Sequence, residues 1–422
     1  MTIAEWRDLS TRDARRAAAE LHRRVSALPE TLRRAAISHL VPEPAMAGAM
    51  AAATADTPLR GVPCFLKDLF PLAGVPTRAG SAFLAEVLAA PAKDGALAGE
   101  LRAAGAVIAG KTHLHEFAYG LTGQNPHYGD CEHPRFPGRT SGGSSSGSAA
   151  LVAADVAPLA FGTDTGGSVR VPAAFCGLYG FRLTPRDRFI RDAFPLAPGF
   201  DTAGWFTRTA DDLLTVNRVL LGPEEPPARE PKGCWLDLEK MTDGADPEIV
   251  AACRQGAGSL AAPADAITEA ELVAGFRGAL ETYAALQSAE AFLGHRPWFE
   301  RYRARYSPEV WSRIDRGRQW TRAELDRAEV KQMEVRALWR RFFDVYDFLV
   351  LPAAHRPALK REELTLANRN RLLTLTAPAS LGGCPVLTIP LPLASGLSAG
   401  LQIVLASPRS PAVSGGLARL RL

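Results

Sequence analysis

Residues 138–182 read GRTSGGSSSGSAALVAADVAPLAFGTDTGGSVRVPAAFCGLYGFR. Two Gly-Gly-Ser turns, one ending at Ser144 and one at Ser168, lie twenty-four positions apart around a stretch of small apolar residues. Residues 146–154 predict a helix of small side chains. Residues 156–161 predict a strand that runs straight into the second turn. Upstream, residues 61–66 alternate weakly and read as a short strand, so Lys67 stands at or just past its end. Two hydroxyls, an amine at the rim of a core and bare backbone N–H groups are the equipment for acyl transfer without histidine.

Each part answers a physical need. A serine hydroxyl is a poor nucleophile at neutral pH and requires a base within hydrogen-bond reach. Lysine serves when burial or nearby dipoles destabilise its ammonium form. A tetrahedral intermediate carries a negative oxygen, and successive N–H groups in a glycine turn converge as an anion nest. Thr165, Gly166, Gly167 and Ser168 are the expected donors. Asp164 and Arg170 flank that turn and are expected to pair and hold it rigid, with Ser145 in support.

These residues resemble the amidase signature family of Ser-Ser-Lys hydrolases. The resemblance rests on GGSSSGS, GTDTGGSVR and PAAFCG, with GVPCFLKD and GKTHLHEFAYG upstream and YDFLVLP, CPVLTIPLP and GLQIV downstream. It is dense over 60–210 and diffuse from 235 to 340. It implies Ser168 as nucleophile, Ser144 as relay hydroxyl after a cis peptide bond, and Lys67 as base, with no cofactor and no metal. It places Tyr119 and Gln124 of the loop YGLTGQNPHYG at the acyl pocket. The implied fold is an α/β/α sandwich around a large mixed sheet, in keeping with the helix–strand alternation.

One domain is expected over 1–422. It comprises N-terminal helices (1–60), a catalytic core (61–221), a Pro-rich loop (222–232), a divergent helical substrate region (233–345) and strands returning to the core sheet (346–422). Ser10 and Asp13 are read as capping a first helix, Asp94 a second, and Thr321 with Glu324 as a capping box.

Composition excludes several classes. The chain has 422 residues, 47% hydrophobic, with a net charge of +4. Basic and acidic residues are interspersed, which reads as solvated faces rather than a nucleic-acid surface. No apolar run reaches the length of a membrane span, and the first residues lack a signal peptide's apolar core. Six scattered cysteines form no CxxC pair and read as reduced thiols of a cytoplasmic protein. A homodimer is expected from the short C-terminal segment. His113 and His115 make an incomplete metal site. A Ser-His-Asp triad based on His127, His133 or His355 is the weaker catalytic alternative.

The stretches QNPHYG and FDTAGWFTRT are most similar to short amidases such as indoleacetamide hydrolases, which implies a small or aryl-acetamide-like primary carboxamide as substrate. Two alternatives stand beside it. One is a carbamoyl amide of biuret or allophanate type, with Arg356 or Arg182 meeting its carboxylate. The other is the glutamine-hydrolysing subunit of an amidotransferase complex.

Overall fold

The computed structural model describes residues 1–227 and 229–420. Position 228 of the Pro-rich loop and the last two residues of the C-terminal segment lie outside that description. Thirteen strands form among the described residues: β1 (Ile37–Leu40), β2 (Pro63–Lys67), β3 (Val107–Thr112), β4 (Glu132–His133), β5 (Phe136–Thr140), β6 (Leu159–Thr163), β7 (Tyr179–Arg182), β8 (Ala203–Thr207), β9 (Gly233–Trp235), β10 (Ala262–Pro263), β11 (Phe348–Pro352), β12 (Val386–Pro392) and β13 (Ser398–Leu405). β4 and β5 pair as a separate hairpin, and the other eleven make one mixed sheet ordered β1-β3-β2-β6-β8-β7-β12-β13-β11-β9-β10. Strands from both ends of the sequence therefore share a sheet, with helices packed on it.

The central strands are buried on both faces, which explains their continuous apolar character. β2 and β6 run parallel, with Cys64 opposite Leu159 and Leu66 opposite Phe161. Lys67 and Thr163 consequently emerge at the same edge of the sheet. Residues at the carboxyl ends of parallel strands face a crevice in α/β sheets. The helix Ser146–Ala153 is buried along almost its whole length because glycine, serine and alanine let it press against β2, β3 and β6. A β-carbon on Gly147 would collide with the carbonyls of Ala36 and His113.

Several element boundaries differ from expectation, for local reasons. Thr2 caps a first helix, Ile3–Arg12, through a capping box with Glu5. Asp13, not Ser10, caps the next, Ala14–Ser26, by accepting from the Arg16 N–H. Asp94 does not cap the helix Ala96–Ala103, whose Ala96 N–H goes to Asp192, and accepts instead from the Ala73 N–H and from Arg102. Thr321 and Glu324 do form a capping box at the head of Arg322–Phe343, and Asp246 caps Pro247–Leu260. All six cysteines are buried and unpaired. No helix among the described residues is long and apolar enough to cross a membrane.

Trp205 on β8 is fully buried between Phe161 and Phe181 and donates its indole N–H to Asn217. Trp205→Ala opens a cavity at the sheet centre and strands the Asn217 acceptor. The expected loss is about 3–5 kcal/mol, read as a lowered urea midpoint at unchanged slope.

Candidate active site

Lys67 is fully buried, and its Nζ lies 2.7 Å from Ser144 Oγ and 2.8 Å from Thr163 Oγ1. The peptide bond between Gly143 and Ser144 is cis. Ser145 locks the same corner from the other side. Its Oγ donates to the Thr163 carbonyl at 3.1 Å, and its N–H reaches the Ser168 carbonyl at 3.4 Å. Ser168 is 2% exposed, and its hydroxyl makes no hydrogen bond among the described residues.

Burial drives the Lys67 pKa down to about 7, opposed by the charges of Asp201 and Asp164. Asp68, the next residue, does not face this amine. It pairs with Lys111 at 2.5 Å inside the sheet, where Lys111 also donates to Thr77.

The second turn is held by Asp164. Its carboxylate accepts from the N–H groups of Gly167, Val169 and Arg170 and from the guanidinium groups of Arg170 and Arg182. Burial alone would raise the Asp164 pKa, but the two arginines and the hydrogen bonds hold it well below the usual carboxylate range. Arg170 is anchored in turn by the Thr376 carbonyl, Gln402 and Ser380.

This clamp corrects one expectation. The Gly167 N–H is already committed to Asp164 at 2.8 Å, so it is not a free donor. The N–H groups of Thr165, Gly166 and Ser168 make no hydrogen bond among the described residues. Gly167 has φ +128° and leaves room for Thr376, whose Oγ1 donates to the Gly166 carbonyl at 2.6 Å.

Tyr119 is buried, and its carbonyl accepts from Arg313. Gln124 is not brought to the triad. It accepts from Thr122 within its own loop and lines a separate small groove with Asp130 and Arg361. The cause is Asn125, whose side-chain amide donates to the Gly80 and Leu114 carbonyls and turns the loop back. The two arginines proposed to meet a carboxylate are also engaged elsewhere: Arg182 with Asp164, and Arg356 with Glu363 at 2.8 Å.

The histidines have other partners. His127 pairs with Glu116, and His355 with Asn368. His133 bonds the Arg135 N–H in its own hairpin. His113 stacks on Tyr128, and burial lowers its pKa to about 3. Burial, then Arg313, Arg369 and Lys67, keep His115 neutral. Among the described residues no three His, Cys, Asp or Glu side chains gather as a metal site.

Three residues near these groups were not singled out in the sequence: Thr163, Asp201 and Tyr283. Thr163 sits inside the quoted GTDTGGS run, and Asp201 inside FDTAGW, so their local context was visible. Tyr283 lies in the divergent region, where no spacing marks it. Asp201 accepts from Thr165 Oγ1 at 2.6 Å through one oxygen and from the N–H groups of Leu196 and Ala197 through the other. Burial pushes its pKa up to about 6. It also lines a cavity of about 440 Å³ that runs past Thr163, Leu69, Ala118, Phe194 and Leu196, with Arg186 and Arg191 among its other lining residues. Asp201 thus ties the cavity wall to the second turn.

The sequence pattern of the family described as Amidase matches residues 16–242 and 261–408. The chain belongs to the amidase family. Among curated relatives, the chain is 41% identical over 199 residues to an indoleacetamide hydrolase of Pseudomonas syringae pv. syringae, a match covering 47% of this chain and 44% of that protein. It thus spans less than half the length of that relative. It is 32% identical over 397 residues to a subunit of the glutamyl-tRNA(Gln) amidotransferase of Symbiobacterium thermophilum, covering 82% of this chain and 79% of the other. A crystal structure described as an amidase superposes with a TM-score of 0.86 at 28% identity, covering 100% of both chains, so the α/β fold with a large mixed sheet flanked by helices is shared.

If neutral Lys67 is the working base, protonation disables it. kcat/KM is then expected to fall tenfold per pH unit below about 7 and to level off above, because the Lys67 pKa lies near 7. Asp201→Asn removes a charge that holds the ammonium form. The acid limb is expected to move to lower pH, with kcat reduced as Thr165 loosens. An unmoved limb in the pH–rate profile would disconnect Asp201 from Lys67.

Proposed function

We propose that this amidase hydrolyses a linear carboxamide to a carboxylate and ammonia or an amine through an acyl-enzyme on Ser168. One observation carries the reading. A buried lysine with a pKa near 7 is hydrogen-bonded to Ser144, beside an unbonded Ser168 hydroxyl and uncommitted N–H groups.

Ser168 Oγ attacks the carbonyl carbon. Its proton passes to Ser144 Oγ, whose own proton moves to Lys67 Nζ. The outer leg of this relay closes as substrate seats, since catalytic contacts tighten in the reactive complex. The carbonyl oxygen becomes an oxyanion and takes hydrogen bonds from the N–H groups of Thr165, Gly166 and Ser168. The carbon–nitrogen bond then breaks as the proton returns from Lys67 through Ser144 to the leaving nitrogen. Water enters, loses a proton along the same path, and releases the acid and free Ser168.

For the acyl group, a polar carbamoyl- or glutamine-type amide is the better supported choice over an arylacetamide. The amidotransferase relative matches 82% of the chain, against 47% for the indoleacetamide hydrolase. One component of the 1-carboxybiuret hydrolase from Pseudomonas sp. is also 40% identical over 167 residues. The isolated chain is expected to turn over its amide without a partner protein.

A fluorophosphonate probe followed by peptide mass spectrometry is expected to label Ser168 alone. Ser168→Ala abolishes labelling and turnover, and Ser144→Ala lowers kcat by about 10²–10⁴ while the protein remains folded. Label on another residue, or full turnover by Ser168→Ala, sinks the mechanism.

A further inference from the structure

The cavity of about 440 Å³ has a deep end and a mouth. At the deep end Leu69, Ala118, Thr163, Leu196 and Asp201 are buried. At the mouth Arg186, Arg191, Pro195 and Pro198 are exposed. The deep end meets the reaction centre from the side of the base. Thr163 Oγ1 is 2.8 Å from Lys67 Nζ, and Leu69 stands two positions past Lys67. Neither Ser144 nor Ser168 lines the cavity.

That side belongs to the leaving group. In the hydrolytic reading above, the carbonyl oxygen is taken up by N–H groups of the second turn. The departing nitrogen receives its proton from Lys67 through Ser144. A substituent on that nitrogen then extends past Thr163 into the cavity.

The walls define the substituent. The Phe194 N–H donates to the Leu69 carbonyl at 2.8 Å, and its ring packs against Phe117 and His295, with centroids 5.8 and 6.0 Å away. Ile190, Ala118 and Leu196 extend the apolar surface. The polar groups at the deep end are already engaged, Thr163 with Lys67, and Asp201 with Thr165 and two backbone N–H groups. An apolar lining of this size takes a ring, since ligand pockets begin at about 300 Å³.

The mouth adds a charge criterion. The side chains of Arg186 and Arg191 make no ion pair or hydrogen bond among the described residues. Arg186 also holds φ +63°, a conformation costly for any residue but glycine. The nearby carboxylates are occupied: Asp192 accepts from the Ala96 N–H, and Glu290, which feels the charge of Arg186, accepts from the Gly199 N–H. Two unpaired guanidinium groups repel an ammonium ion but lie favourably on an aromatic face. An arylamine departs uncharged at neutral pH, whereas an alkylamine picks up a proton.

Resting on that hydrolytic reading, we propose that the cavity is the leaving-group subsite and that this enzyme cleaves N-aryl amides, with Ile190 and Phe194 as specificity-determining residues. The carbon–nitrogen bond breaks, the nitrogen takes the proton delivered through Ser144, and the neutral arylamine leaves by way of the cavity. The acyl group stays on Ser168 until water removes it.

The test fixes the acyl group and changes the amine, comparing glutamine with its γ-anilide and γ-cyclohexylamide, and acetamide with acetanilide. Wild-type kcat/KM is expected to favour each anilide over its primary amide by about tenfold or more, with the cyclohexylamide behind the anilide. Ile190→Trp, which fills the cavity, should cut the anilide preference at least about tenfold, and Phe194→Ala should cut it several-fold. A preference unmoved by both variants overturns the proposal. So does a change confined to discrimination between short and long acyl chains of primary amides, which would make the cavity an acyl pocket. Ligand-observed NMR titration of aniline into Ser168→Ala, with and without Ile190→Trp, reads the subsite without chemistry. Binding weakened at least tenfold by the added tryptophan supports the subsite even if another residue proves to be the nucleophile. Equal or absent binding in both proteins refutes it even if primary amides are hydrolysed through Ser168.

Discussion

The buried carboxylate of Asp164 is the constraint on which the site depends. Six donors converge on it, three backbone N–H groups and three from the guanidinium groups of Arg170 and Arg182. A charge in a dry interior is tolerable only when every lone pair is answered, and here each is. The turn cannot relax without exposing that charge to an apolar core. The N–H groups of Thr165, Gly166 and Ser168 are therefore fixed in direction before any ligand arrives, which is the condition for electrostatic stabilisation without reorganisation.

The amine of Lys67 stands in the opposite situation. Among the described residues it has hydroxyl partners but no carboxylate in contact, and burial outweighs the distant pull of Asp201 and Asp164. Two buried polar groups of one site are thus driven in opposite directions. Asp164 is kept charged by direct contact, and Lys67 is kept near neutrality by the lack of it. That separation lets one corner of the sheet hold both a rigid electrostatic frame and a titratable base.

Much of this was legible in the sequence, and the reason is local. Ser144, Ser168, Asp164 and Arg170 lie within one short segment, and its glycines can adopt the positive-φ turns that bring them together, so much of their placement is local. Lys67 was readable because an apolar strand ends on it. What escaped came from long-range packing. The loss of Gly167 as a donor follows from a side chain turning back on its own backbone, and the departure of Gln124 from the fastening of Asn125 to two distant carbonyls. Tyr283 sits on a helix with no motif, and only the tertiary arrangement sets it against Gly166. Arg182 is visible in the sequence as a cation, but its partner is decided by the pairing of β7 with β8 and β12.

Arg170 donates hydrogen bonds to the Thr376 carbonyl and to Gln402 on β13, the last strand of the sheet in chain order. β13 lies between β12 and β11. During synthesis the nucleophile's segment leaves the ribosome more than two hundred residues before the groups that brace it. The bracing of Arg170 is therefore completed only when the last strand has taken its place in the sheet, long after the turn it steadies has been made.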